Sequence, residues 1–341
     1  LKGERLATIV HISDLHFGDS VDGVPALDDS VASQMWQFHP VMDGWLGHSA
    51  AALQLLPERV LSLVKREGAY VVATGDLTAT GSNAQVAFGF QYLEGFHEQR
   101  LGQRLGLALS TLRKSTIPGN HDTWRGSRGF GGRDVGAIRK FEATPLDPHA
   151  HSIPLGKSRS LVVYGIFTDA DVSPNSWRRV LGRGLFDNQL KDLTRTLGKR
   201  PEREIRALLL HHSPMDGIDK ICGISRSSRT LLERVAAELG FSVLLTGHKH
   251  SARGYIHGWT TAGVFEARCG TTTARDEVPH DWYLALDQHN RLAKNTFLVH
   301  RLIEAGDGVL HWTTEVNQRN ATGFRDIYPL PGTDSHPVWQ P

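Results

Sequence analysis

Residues 241–250 read Phe-Ser-Val-Leu-Leu-Thr-Gly-His-Lys-His. The apolar run from Phe241 to Leu245 has the length of a buried strand and is too short for a packed helix. Beyond Gly247 come two histidines, His248 and His250, on alternate positions. Alternate residues of an extended chain face the same side, so two imidazoles there can reach neighbouring ions. Four upstream segments repeat the construction. Runs at Arg5 to Ile12, Ala69 to Ala73 and Ile205 to Leu210, with a short extended stretch at Ser115 to Ile117, are followed by Asp14-Leu15-His16, Gly75-Asp76, His211-His212-Ser213-Pro214 and Gly119-Asn120-His121-Asp122 respectively. Ser160 to Phe167 supplies a further strand-like run.

Helical patterns lie between several of these runs. Leu53, Leu56, Val60, Leu61 and Val64 follow a 3.6-residue stripe that Gly68 stops. Ser82 with Gln85 reads as a capping box before Val86, Phe90, Leu93, Leu101 and Leu105, and Thr230 to Leu239 forms a third helix ended by Gly240. Strand, helix, strand means an α/β protein. In open α/β sheets sites form at the carboxyl ends of strands, so the five polar clusters converge on one rim. Glycines before Asp76, Asn120 and His248 are expected to let the backbone turn sharply there. Taken singly, each cluster has an ordinary reading: a capping aspartate, a polar turn, a core histidine beside a solvated one. Five such coincidences in chain order, each just after an apolar run, are far harder to explain than one site.

The chain's 341 residues, 40% hydrophobic and 22% charged, are those of an ordinary globular protein with a sizeable core. A formal charge of +2 supplies no broad basic field, which disfavours nucleic acid as the partner. No apolar stretch approaches the 18 residues of a membrane span. Eighteen histidines stand beside two cysteines, Cys222 and Cys269, so a metal site here must use imidazole and oxygen rather than thiolate. The same scarcity of cysteine suggests a reducing compartment, the cytoplasm. The chain starts at Leu1, which leaves a removed signal peptide compatible with the sequence.

The ordered set Asp-x-His, Gly-Asp, Gly-Asn-His-Asp, His and Gly-His-x-His resembles the calcineurin-like metallophosphoesterase superfamily, over about residues 8–275, and most of all its bacterial cyclic-nucleotide and glycerophosphodiester phosphodiesterase branch. The resemblance implies a four-layer α/β/β/α sandwich of two mixed sheets flanked by helices, with a two-metal site at the strand ends. It implies that Asp14, His16 and His250 bind one ion, that Asn120, His212 and His248 bind the other, and that Asp76 bridges them. His-x-Pro spacing selects His212, with His211 as the competitor. His121 resembles the histidine beside the substrate phosphate, with Asp122 as its orienting partner. The implied reaction is hydrolysis of a phosphate ester, a diester before a monoester or a nucleic acid, by in-line attack of a metal-bound hydroxide. Mixed nitrogen and oxygen ligation suits manganese or iron first, then zinc or cobalt. A metal-binding interaction scaffold without turnover is the competing reading from another class.

The rest of the chain is less pointed. Residues 1–324 are expected to form the metallophosphoesterase domain. Within it, residues 17–50, with Trp36, Phe38, His39 and Trp45, form a functional loop or small cap. Residues 124–136 interleave Trp124, Arg125, Arg128 and Arg133 with glycines, and Arg125 and Arg128 are candidates to hold a small-molecule phosphate ester. Ser225 to Arg229 offers the same choice between substrate contact and solvated loop. The proline-rich tail, 325–341, is expected to run as an extended strap without regular structure and is a candidate oligomer contact.

Overall fold

Strands alternate with helices along most of the chain in the computed structural model, which describes residues 3–18, 20–21, 24–25, 48–79, 81, 83–98, 104–123, 149–172, 182–217, 223–274 and 295–340. In chain order the elements are β1 (Gly3–Ile12), the short pair β2 (Ser20–Val21) and β3 (Val24–Pro25), α1 (Ala50–Glu67), β4 (Tyr70–Thr74) and α2 (Asn83–Glu94). A second short pair, β5 (His97–Glu98) and β6 (Arg104–Leu105), precedes β7 (Thr116–Ile117), β8 (His149–Gly156), β9 (Arg159–Gly165), α3 (Asp187–Thr196) and β10 (Glu204–Leu209). Then come α4 (Arg226–Leu239), β11 (Phe241–Thr246), β12 (Arg253–His257), β13 (Val264–Arg268), β14 (Thr296–Ala305), β15 (Leu310–Asn320), β16 (Gly323–Pro329) and β17 (Ser335–Trp339).

Two mixed sheets result. The first has the order β16-β15-β14-β1-β4-β7, with β17 also pairing β15; the second runs β12-β13-β11-β10-β9-β8. Strand alternation decides what each face buries. On β1, Ala7 and Ile9 join Leu209, Leu245 and Phe265 in the core between the sheets, while Val10 and Ile12 face α1 and α2. Leu208, Leu210 and Leu244 face α3 and α4 on the other side. The layers are therefore helix, sheet, sheet, helix.

Helix ends obey local chemistry. Ser49 caps α1 by accepting from the Ala52 amide at 3.3 Å, and Gly68, at φ 61°, closes it. Pro57 lies inside α1 and has no N–H to give the Leu53 carbonyl; the Tyr92 hydroxyl donates to that oxygen instead, at 2.8 Å. Ser225 caps α4, which begins at Arg226, earlier than the stripe from Thr230 suggests.

Two expectations need correcting. Helix α2 ends at Glu94 instead of continuing to Leu105, which belongs to β6; Gly95 follows at once and weakens continuation. Ser82 of the expected capping box lies outside the described residues. The tail is also not an unstructured strap: β16 and β17 line up along the open edge of β15, where an edge position and a register shift accommodate Pro337. Leu330 and Val338 are buried between the sheets and Trp339 Nε1 donates to the Glu202 carbonyl at 2.7 Å, while Ile327 is exposed. Nothing in that arrangement supports an oligomer contact. No helix among the described residues is long and apolar enough to cross a membrane.

Candidate metal centre

The donors stand on the loops that leave β1, β4, β7, β10 and β11, and the parallel pairings of β1 with β4, β4 with β7 and β10 with β11 put those ends on one rim. The turn chemistry is unusual. Asp14 (φ 53°), His16 (51°), Asp76 (49°), His248 (75°) and His250 (51°) are themselves in the left-handed region, at a cost of order 1 kcal/mol or more each. Of the three glycines expected to turn the chain only Gly75, at φ 93°, has a positive φ. Gly119 is small for a different reason: a Cβ there would run into the Asp76 carboxylate and amide.

The loops hold one another. Asp14 N donates to Gly75 O and His16 N to Asp76 O, both at 3.0 Å. His121 N donates to Asp76 Oδ1 at 2.8 Å and His248 N to Asp14 Oδ2 at 3.0 Å. Ser13 Oγ donates to Asp14 Oδ2 at 2.6 Å, and Thr271 Oγ1 to Asp14 O at 2.9 Å. Neither Ser13 nor Thr271 stood out in the sequence as a supporter of the donors.

Two nests of donor atoms follow. In the first, His250 Nε2 lies 3.3 Å and His16 Nε2 3.8 Å from Asp14 Oδ1, with the two imidazole nitrogens 3.2 Å apart. Asp14 Oδ1 is buried and accepts no hydrogen bond. In the second, His211 Nε2 lies 3.1 Å from Asp76 Oδ2, 3.0 Å from Asn120 Oδ1 and 3.3 Å from His248 Nδ1. His211 Nδ1 donates to the Thr74 carbonyl at 2.8 Å, which turns its Nε2 toward Asp76 Oδ2, Asn120 Oδ1 and His248 Nδ1, a setting that suits a proton or a metal ion. Asp76 Oδ2 also lies 4.0 Å from His16 Nε2, joining the nests. The donor set fits two divalent cations. Groups of three ligand atoms within 4.8 Å of one another are formed by Asp14, His16 and His250, by His16, Asp76 and His121, and by Asp76, His211 and His248.

The titration directions tell the same story. Burial alone would raise Asp14, but His16 and His250 hold it well below the usual carboxylate range. Burial likewise opposes, and His211 and His121 outweigh it, in keeping Asp76 ionised. Burial pulls His211 down, yet Asp76 beside it pushes the net value up to about 10. His248 is held low by burial and by His212, which leaves it neutral.

His211, not His212, meets the other donors. Both ring nitrogens of His212 are engaged elsewhere, Nδ1 with Thr168 Oγ1 at 2.7 Å and Nε2 with Gly182 O at 2.6 Å. Strand parity carried the signal: Ile205, Ala207 and Leu209 face the other sheet, so His211 continues their side and His212 that of Leu208 and Leu210. His121 donates from Nδ1 to the Ala79 carbonyl at 2.8 Å, which turns Nε2 toward Asp76 Oδ2, 3.9 Å away. Burial pushes its imidazole down to about 4.

Asp122 does not orient that ring. Its Oδ2 accepts from Leu77 N at 3.1 Å and Gly119 N at 2.9 Å, and its Oδ1 from Thr78 N and Thr78 Oγ1, both at 2.8 Å. Burial and the Asp76 charge push Asp122 up to about 7, against four donors that favour the carboxylate. Arg125 and Arg128 lie outside the described residues, as do residues 26–47 of the expected cap with Trp36, Phe38, His39 and Trp45. Ser225 and Arg226 are taken up by the start of α4.

The sequence matches the family described as calcineurin-like phosphoesterase over residues 7–252, more than half of the chain. None of the curated proteins matches it. Among solved structures, a dimetal phosphatase from Danio rerio is 13% identical, with a TM-score of 0.51 over 96% of this chain and 99% of that one. GAP50, the anchor in the inner membrane complex of Plasmodium, is 11% identical, with a TM-score of 0.50 over 96% of this chain and 89% of that one. Likeness at such identity speaks for the fold alone.

Proposed function

The chain belongs to the calcineurin-like phosphoesterase family, and from that membership we propose that it hydrolyses phosphate esters, diesters before monoesters, with two divalent ions at the rim of its sheets. The observation that carries this reading is the gathering of Asp76, Asn120 and His248 around His211 Nε2, next to the orphaned Asp14 Oδ1 of the first nest. Asp14, His16 and His250 hold one ion, Asn120, His211 and His248 the other, and Asp76 serves both. His211 thereby takes the role that spacing alone assigns to His212.

When bound, such ions supply Lewis acidity that offsets charge on phosphate oxygens and eases ionisation of water. The residues set how much of it survives. Asp14 and Asp76 bring two negative charges against four positive ones, and the imidazoles and the Asn120 amide bring none, so the centre stays positive toward a phosphate ester. Nitrogen and oxygen donors in this mixture favour manganese or iron. His121, its ring fixed by Ala79, presents Nε2 beside Asp76, where it holds or passes the proton of a leaving oxygen. Asp122 acts at one remove, by holding the turns that carry Asp76 and Asn120.

The diester preference draws on the residue pattern around the donors. The test compares turnover of bis-p-nitrophenyl phosphate and p-nitrophenyl phosphate by the manganese-loaded full chain and by Asp76→Asn. Faster turnover of the diester, lost by at least about a hundredfold in the variant, is expected. Faster monoester turnover overturns the preference. Absence of turnover on both esters overturns the hydrolase and leaves a scaffold, a use that the anchor GAP50 makes of a similar fold.

A further inference from the structure

His211 and His212 are adjacent, yet they do different work. The ring of His212 packs on that of His248, with centroids 4.3 Å apart, and its Nε2 donates to the carbonyl of Gly182, which stands at φ 59°. Thr168 completes the clamp: its hydroxyl donates to His212 Nδ1 at 2.7 Å, and its carbonyl accepts from Leu185 N at 2.9 Å. The segment from Gly182 to Gly184 is held from the far side as well, by Gly184 N to Gly223 O at 2.9 Å and Ser225 N to Gly184 O at 2.8 Å.

This segment lies directly against the second nest of donors. A Cβ at Gly182 would stand 2.9 Å from Asn120 Nδ2 and 3.3 Å from His248 Cε1, and one at Gly184 would stand 3.0 Å from His212 Cγ. Only glycine lets the backbone come so near. The two halves of the centre differ accordingly. Asn120, His211 and His248 are 2%, 0% and 7% exposed; Asp14 and His16 of the other half are as buried, at 0% and 1%, and that half opens at His250, whose side chain is 34% exposed.

We propose that His212 is a positioning residue that clamps residues 182–184 as a roof over the Asn120, His211 and His248 half of the centre, so that this half releases its cation slowly and the His250 half quickly. The inference rests on the two-ion reading above. It gives the second histidine a role that neither ligation nor core packing explains, because both ring nitrogens are aimed at named partners while the ring face supports a donor.

The test follows metal release. The full chain is loaded with manganese, freed of excess, mixed with a strong chelator, and the manganese retained per chain is measured over time by elemental analysis. His212→Phe keeps a ring of similar bulk without its hydrogen bonds. Thr168→Val removes only the hydroxyl and serves if the first variant does not fold, as judged by circular dichroism. The wild-type chain is expected to lose two ions in two phases. In either variant the slow phase should accelerate by about tenfold to a hundredfold, the usual effect of removing a ligand's outer partner, with the fast phase unchanged. A slow phase that survives in both folded variants, or loss of both wild-type ions in a single phase, overturns the clamp. Retention of fewer than two ions before chelation overturns the two-ion reading instead.

Discussion

Replacing Asp122 by asparagine separates a residue that holds turns from one that orients a catalytic ring. Each carboxylate oxygen now accepts two hydrogen bonds, Oδ1 from Thr78 N and Oγ1, Oδ2 from Leu77 N and Gly119 N. An amide keeps one accepting oxygen and turns an NH2 toward the other two donors. With its oxygen at the Thr78 side, the Leu77 and Gly119 amides lose their acceptor while buried. Each such loss costs about 1–3 kcal/mol, so Asp122→Asn should destabilise the fold by about 2–6 kcal/mol, a large part of the roughly 5–15 kcal/mol that a domain has. Asp76 and Asn120 are carried on the same turns, so manganese retention should fall together with stability. Urea unfolding and metal stoichiometry read the two effects. His121→Ala is the control: it removes the Nδ1 bond to Ala79 and leaves the Asp122 bonds in place, and turnover should fall with much less loss of stability. If Asp122→Asn unfolds at the wild-type urea concentration and keeps both ions while only kcat drops, the turn-holding role is wrong and the ring-orienting one returns.

Two further outcomes follow from groups outside the donor set. Burial pushes His11 down to about 3 and holds His300 well below its usual value. A value depressed in the fold means that the unfolded chain takes the proton first, so this stability is present above about pH 6.5 and lost as pH falls; at about 1.4 kcal/mol per pH unit, His11 alone removes nearly 3 kcal/mol by pH 4.5. Urea unfolding of the wild type and His11→Gln across that window should give slopes that differ by about one proton, and parallel slopes would sink the argument. Deleting residues 330–341 removes Leu330 and Val338 from the core between the sheets, at about 1.5–3 kcal/mol each, so the midpoint of unfolding should drop while sedimentation shows no change of assembly. A truncated chain of unchanged stability and altered assembly would restore an oligomer contact.

What the sequence made legible was whatever depends on period and chain order. Apolar runs of strand length followed by Asp, Asn and His led to the rim because burial and hydrogen bonding select both in the same few residues. The tail misled because proline usually signals the absence of a ladder, whereas the open edge of β15 offered one that tolerates Pro337 at a register shift. Helix α2 was read too long because Leu101 and Leu105 happen to fall in phase with Val86 and Leu93, and periodicity alone takes no account of Gly95. Between His211 and His212, spacing to Pro214 points to one ring and strand parity to the other, and it is the His211 ring that lies beside Asp76, Asn120 and His248. Asp122 could not be read at all from its neighbour His121, since its partners Leu77 and Thr78 come beside it only after β4 and β7 pair.

The donors themselves show why so much of the molecule is needed to hold them. Two imidazole nitrogens 3.2 Å apart, beside a buried carboxylate oxygen without a hydrogen bond, stay together only with a proton or a metal ion between them. Five of the residues concerned also sit in a backbone region that side chains avoid. No single loop could impose that arrangement, and none does: Asp14 is held through Gly75, His248 and Thr271, and Asp76 through His16 and His121, so every loop is fixed by residues from another strand end. The two packed sheets supply the rigidity that this mutual bracing requires. It follows that the centre cannot be reduced to its Asp, Asn and His residues, because the Ser13 and Thr271 hydroxyls and the absent Cβ of Gly119 are conditions for those donors to face one another.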